Sequence, residues 1–189
     1  NIHQKGYILK TQANPGFLEI VEGSIFDHKL IEKLFINADL CVNLIGILFE
    51  KGKNNFNNIH VEFPKMISRY ASTNKLEKFI HLSALGIENA KDSIYAQSKL
   101  KGEEEILNNF DKAVIVRPSI VYSVDDNFTT QLMTLLRLLP IFPIYYNGKT
   151  KFRPIFCSDL TNSITKIITD DIKENIIEFA GPEEISIKE

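Results

Sequence analysis

Residues 78–118 read KFIHLSALGIENAKDSIYAQSKLKGEEEILNNFDKAVIVRP and constrain the fold more than any other stretch of the chain. A short apolar run, a polar connection, a charged segment of helical period and a second β-branched run follow one another, so strand, loop, helix and strand are expected. Two strands joined through a helix lie parallel, and the same order recurs on both sides. Upstream, FLEIVEG at 17–23 reads as a strand and Asp27 as the cap of a helix whose Leu30, Ile31, Leu34 and Phe35 recur at helical spacing. LCVNLIG at 40–46 is a near-continuous apolar run of the kind that fits a parallel strand covered on both faces, with Asn43 its one strongly polar residue. A Gly/Lys/Asn-rich loop at 51–55 leads to a helix striped by Ile59, Phe63, Met66, Ile67 and Tyr70, which Pro64 should kink or restrict to its first turns.

Downstream, AVIVRPSIVY reads as a strand, 127–139 as a helix and KFRPIFC at 151–157 as a short strand. Ser158 or Asp159 then caps a helix carrying Leu160, Ile164, Ile167 and Ile168, and NIIEFAG is a last strand before a Gly-Pro turn. The fold class predicted is α/β with a doubly wound parallel sheet. No repeat, low-complexity tract or clean linker interrupts it.

The helix inside 78–118 opens with Tyr95 and Lys99, four residues apart and therefore on one helix face, with Asp92 or Ser93 available as cap. This places a phenol and an ammonium near the C-terminal edge of the preceding strand, where open α/β sheets bind ligands. A nearby ammonium favours the phenolate and should lower the tyrosine pKa toward working pH, which suits proton transfer. Ser83, at the end of the preceding strand, completes the constellation. Tyr145 and Lys149 share the spacing, but Asn147 and Gly148 between them mark a turn and no helix aligns them.

Charge and composition exclude several classes. With a net charge of −2 and basic residues scattered among acids, nucleic acid is not an expected partner. Cys41 and Cys157 have no second cysteine at metal or redox spacing and read as buried thiols. The apolar stretch 132–146 is broken by Arg137, Pro140 and Pro143 and is short of a bilayer span; it could be core, substrate pocket or docking surface. The first ten residues show no secretory signal, and the lack of an initiating Met fits a fragment or processed chain. His81 reads as a satisfied strand histidine, while His60, His28 and His3 have no second ligand at metal spacing, so no metal is assigned. Asp159 reads as a cap, Arg153 as a phosphate contact or an exposed strand residue, and Glu103, Glu104 and Glu105 as a solvated helix face. A glycine-rich phosphate-binding turn is absent. A Rossmann-like reading therefore implies that the first strand-helix-strand unit, with its NADP-selecting residues, precedes Asn1.

The segments VNLIGILFEKGKNNFNNIHVEFPKMI, KFIHLSALG, YAQSKLKGE, VIVRPSIVY, KFRPIFCSDL and FAGPE resemble the extended and atypical short-chain dehydrogenase/reductases. More specifically they are similar to the NAD(P)-binding accessory subunits of respiratory complex I (NADH:ubiquinone oxidoreductase) and alphaproteobacterial relatives. The resemblance covers essentially the whole chain. It implies a single partial NAD(P)-binding domain over residues 1–189, truncated in its C-terminal region, with 127–189 contributing to a smaller substrate or docking region. It also implies Ser83, Tyr95 and Lys99 as the catalytic positions, with Asn43, Leu44, Ile45, Gly46, Lys99, Pro118 and Ser119 lining NADH or NADPH and Arg117 passing near the nicotinamide. Where the family has Gly-Asp after its third strand this chain has Gly23 and Ser24, so adenine contact falls to Ser24 and the Ile25 backbone. Tyr122 is followed by Ser123 rather than Gly, against sugar-nucleotide chemistry. The partners implied are complex I subunits, with membrane association only through them, on the cytoplasmic face of a bacterial inner membrane or the matrix side of a mitochondrial one. The alternative the motif leaves open is a working reductase, dehydrogenase or epimerase, acting on a quinone-pathway or other apolar substrate.

Overall fold

The computed structural model describes residues 9–123 and 151–186, which fall into two compact units, Asn1–Leu34 and Phe35–Glu189. In the first, the strand expected at 17–23 is absent: the segment is irregular, and Phe17 is 85% exposed. Backbone amides become a strand only where a neighbouring ladder accepts them, and none among the described residues pairs with this run. Helix α1, His28–Phe35, starts where expected, because Asp27 Oδ1 accepts the Leu30 amide at 3.1 Å.

The second unit is built on β1 (Leu40–Asn43), β2 (Lys78–Leu82), β3 (Val114–Pro118) and β7 (Ile176–Phe179), all parallel and in that spatial order. Helix α2 (Phe63–Thr73) joins β1 to β2, α3 (Ile94–Asn109) joins β2 to β3, and α4 (Cys157–Thr169) precedes β7. Helices on both faces of a parallel sheet make the fold doubly wound and Rossmann-like, as expected from the alternation. β1 is an edge strand with Leu40 exposed, so the run at 40–46 is less covered than its composition implies.

Three other expectations change. The run read as one strand at 113–122 divides: β3 ends at Pro118, and β4 (Val121–Tyr122) turns away to pair with β6 (Ile155–Phe156). KFRPIFC likewise splits at Arg153 and Pro154 into β5 (Lys151–Phe152) and β6, and β5 pairs antiparallel with β8 (Ile185–Ser186). The thiol of Cys157 opens helix α4 rather than closing a strand, and both cysteines are half-buried. Phe156 occupies the cap without a side-chain bond, so Ser158 and Asp159 fall inside the first turn, where Asp159 complements the helix dipole. The helix expected at 127–139, the apolar stretch 132–146 and the Tyr145/Lys149 pair lie outside the described residues.

Period-two alternation gives the sheet two unlike faces. Ile80, Val114 and Val116 pack with Ile155, Leu160 and Ile167 into one aliphatic core, flanked by Val42, Leu82, Ile177 and Phe179. Burying each such side chain contributes about 1.5–3 kcal/mol. The other face presents Phe79, His81, Ser83, Ile115 and Arg117 toward α3, with the Phe79 ring 6.2 Å from that of Phe110. At the base of the sheet the Lys78 ammonium caps α4 by donating to the carbonyls of Ile167 (2.9 Å) and Ile168 (2.7 Å).

Before α2 the chain makes a π-helical turn, Asn57–Glu62, where the Phe63 amide reaches back to the Asn58 carbonyl. Pro64 sits at the start of α2, so the kink expected of it takes this form. Proline has no amide proton to give the carbonyl four residues earlier, that of His60. That carbonyl instead faces α3 at Gly102, where a Cβ would come within 1.8 Å of it.

Candidate functional site

Asn43, Leu82 and Pro118 end three adjacent parallel strands, so the loops that leave them share the ligand-binding edge of the sheet. Helix α3 begins beside this edge. Ser93 is its cap, the hydroxyl accepting the Ala96 amide at 3.2 Å, and this fixes Tyr95 and Lys99 in the first two turns. Lys99 is 4% exposed and donates to the Leu82 carbonyl at 3.0 Å. A Cβ on Gly46 would lie 3.5 Å from the ammonium, so the loop after β1 passes directly over Lys99 at this glycine. Burial pulls the Lys99 pKa down to about 8, while Glu103 one turn on opposes the shift.

Tyr95 departs from expectation. Burial raises its pKa, and Lys99, engaged with Leu82, supplies no opposing shift. The ring is held edge-on between Phe56 at 5.8 Å and His60 at 5.4 Å. Ser83 is buried, its amide bonded to the Val116 carbonyl at 2.7 Å, while Oγ has no partner among the described residues. Asn43 is also buried: Nδ2 donates to His81 Nδ1 at 2.9 Å and Oδ1 accepts the Ile45 amide at 3.1 Å, which pins the start of the loop. With Nδ1 accepting, the His81 proton sits on Nε2, which is buried and unpartnered among the described residues. Burial, then Lys99 and His60, push the His81 pKa down to about 3.

The other cofactor positions divide. Leu44 and Ile45 are 62% and 40% exposed beside Gly46. The Pro118 carbonyl accepts the Leu85 amide at 2.9 Å, and the Ser119 amide donates to Phe179 at 2.8 Å, joining the loop after β2 to the ends of β3 and β7. The structure therefore brings Asn43, Gly46, Ser83, Tyr95, Lys99 and Pro118 to one edge. Ser24 and Ile25 lie in the first unit, where Ser24 Oγ accepts the Phe26 amide at 3.2 Å in a tight turn.

Arg117 is not free to approach a ligand. Its guanidinium grips Glu103 with two bonds (2.7 and 3.1 Å) and lies 3.4 Å from both Glu88 and Glu178. This also corrects the reading of Glu103 as solvated: its carboxylate is buried, and Arg117, whose pKa it raises, is its counter-ion. Glu105 pairs with Lys65 at 2.9 Å. The residue most underrated from sequence is His60, buried among these groups. Its position four before Pro64 was a usable signal, since it marks a carbonyl with no amide to bind it. Among the described residues no cluster of His, Cys, Asp or Glu could hold a metal, and no helix is long and apolar enough to cross a membrane.

No family model matches the chain. It is 27% identical over 175 residues to the mitochondrial NADH dehydrogenase [ubiquinone] 1 alpha subcomplex subunit 9 of Mus musculus, covering 92% of this chain and 46% of that protein. The Dictyostelium discoideum protein of the same name is 29% identical over 177 residues, covering 93% and 49%. A ceramide reductase of Caulobacter vibrioides is 25% identical over 127 residues, covering 67% and 40%. The chain thus spans about half the length of the curated relatives it matches. Among solved structures, a UDP-glucuronic acid 4-epimerase mutant from Bacillus cereus with NAD superposes with a TM-score of 0.76 at 20% identity, covering 98% of this chain and 67% of that one. A dTDP-glucose 4,6-dehydratase mutant from Streptomyces venezuelae with NAD gives 0.74 at 16%, covering 97% and 64%. Across nine-tenths of its length the chain is similar to the alpha-subcomplex subunit 9 proteins of NADH dehydrogenase, and its fold is that of the epimerase and dehydratase structures.

Proposed function

We propose that this chain is part of an accessory subunit of complex I that binds NADH or NADPH as a structural cofactor. The residues fit such a ligand: Ser83 Oγ is buried without a partner among the described residues, and the loop after β1 crosses Lys99 at Gly46, which has no side chain. Lys99 would hold the ribose hydroxyls, Asn43 to Gly46 would line the dinucleotide, and Ser83 with Pro118 and Ser119 would border the nicotinamide. When bound, a nicotinamide cofactor can give or take a hydride. The single observation that favours a structural over a catalytic role is the setting of Tyr95: the Lys99 ammonium is bonded to the Leu82 carbonyl, and the tyrosine ring packs against Phe56 and His60, where burial raises the phenol's pKa. Docking on complex I would account for any membrane association, on the cytoplasmic or matrix side.

A second reading, an active NAD(P)-dependent reductase, is favoured by the likeness to a ceramide reductase and by the intact Ser83, Tyr95 and Lys99. Tyr95→Phe in the full-length protein separates the two, because it removes the proton donor and keeps the ring. Under the structural reading, complex I assembly and extracted cofactor stay near wild type. A drop of about a hundredfold in cofactor turnover, with cofactor still bound, would overturn it in favour of the enzyme.

A further inference from the structure

His60 is 1% exposed and bonds through both ring nitrogens. The Ser98 hydroxyl donates to the Tyr95 carbonyl at 2.7 Å, so toward His60 it accepts, and Nδ1 at 2.9 Å must carry the ring proton. Nε2 is then the lone pair that takes the Ile47 amide at 3.1 Å. Only this neutral tautomer satisfies all three groups. Burial and the Lys99 charge keep the ring neutral by pulling its pKa down to about 4. Phe56 stacks on one side of the ring at 5.3 Å, and Tyr95 meets it edge-on. The backbone carbonyl of the same residue rests on Gly102.

His60 therefore touches α3 at Ser98 and Gly102, on either side of Lys99, and touches the loop after β1 at Ile47, next to Gly46. No other side chain among the described residues is shown bonding to both. We infer that His60 is a positioning residue that sets the distance between the Asn43–Gly46 loop and the helix bearing Tyr95 and Lys99, and thereby the grip of both on a dinucleotide. It acts through the Ile47 amide on one side and Ser98 on the other. This rests on the reading that these elements hold a nicotinamide cofactor.

The two links can be cut separately in the full-length protein. In His60→Asn the amide reaches as far as Nδ1 and keeps Ser98 but releases Ile47; in His60→Gln it reaches as far as Nε2 and keeps Ile47. Dissociation constants for NADH and NADPH, measured by calorimetry alongside thermal melting, should show His60→Asn weakened about tenfold, the equivalent of one lost hydrogen bond. His60→Gln, which gives up Ser98, should weaken binding several-fold, since cutting either link breaks the bridge, although both variants lose the same ring stacking and melt at similar temperatures. Wild-type affinity in either variant would mean that its severed link does not position the site and would overturn the inference. Ser98→Ala, which leaves the ring and Phe56 in place, provides a second test should either variant fold poorly: it should weaken binding several-fold, and wild-type affinity there would also overturn the inference. Failure of the wild-type protein to bind either nucleotide would instead overturn the cofactor reading beneath it.

Discussion

The two faces of the four-stranded sheet are made from the same strands and obey opposite rules. Toward α4, alternate residues of β2 and β3 supply Ile80, Val114 and Val116, which pack with Ile155, Leu160 and Ile167. Toward α3, the intervening residues supply His81, Ser83 and Arg117, which meet Asn43, His60, Lys99 and Glu103. Hydrophobic burial is non-directional, so the first face tolerates adjustment as long as volume is kept. Buried polar groups are directional and costly when unmatched, so the second face fixes positions. What the contrast teaches is that stability is spread over the sheet while ligand geometry is concentrated on one side of it.

That division can be broken by experiment. Ile80→Ala, on the aliphatic face, should lower stability by about 3 kcal/mol in urea unfolding through the cavity it leaves, with cofactor affinity of the folded protein unchanged. A tenfold loss of affinity there would show that the faces are not separate. Gly102→Ala, on the polar face, should cost about 2 kcal/mol by forcing α3 away from the His60 carbonyl. It should also weaken cofactor retention, which sharpens the contrast, since a similar destabilisation would have a second consequence only on this side.

A third test is pH dependence. His60 and His81 stay neutral in the folded protein down to about pH 4 and 3, whereas in the unfolded chain they take up protons below about pH 6.5. The unfolded state then binds more protons, so stability is lost as pH falls from 6.5 toward 4, by up to about 1.4 kcal/mol per pH unit for each histidine. Urea midpoints between pH 7 and 4.5 should fall accordingly. A flat profile would mean these rings are not shielded as the polar face requires.

Much of this fold was legible because the signals were local. The Asp27 and Ser93 caps, the β2-α3-β3 unit and the Tyr95/Lys99 spacing all depend on residues within a turn or two of each other. What failed depended on partners distant in sequence. FLEIVEG has strand composition but no ladder, and the Glu103 carboxylate looked solvated because its counter-ion, Arg117, is fourteen residues away on another element. The tyrosine pKa followed the same pattern: helical spacing put Lys99 on the right face, yet the ammonium went to a strand carbonyl rather than to the phenol. His60 is illegible for the same reason: nothing near it in sequence names Ile47 and Ser98 as the partners of its ring.

His81 has a further consequence for how the chain finds its alignment. In β2 the aliphatic side chains Ile80 and Leu82 alternate with Phe79, His81 and Ser83. A slip of one residue against β1 or β3 would turn the imidazole and the hydroxyl into the aliphatic core and carry Ile80 and Leu82 to the Lys99 side. An all-aliphatic β2 would bury comfortably in either alignment. The histidine makes the wrong one expensive, because among the described residues the aliphatic cluster on the α4 face offers its Nδ1 no counterpart to the Asn43 amide. A residue that adds little to the strength of the native sheet thus acts as a proofreading mark during folding, discarding misaligned sheets that hydrophobicity alone would accept.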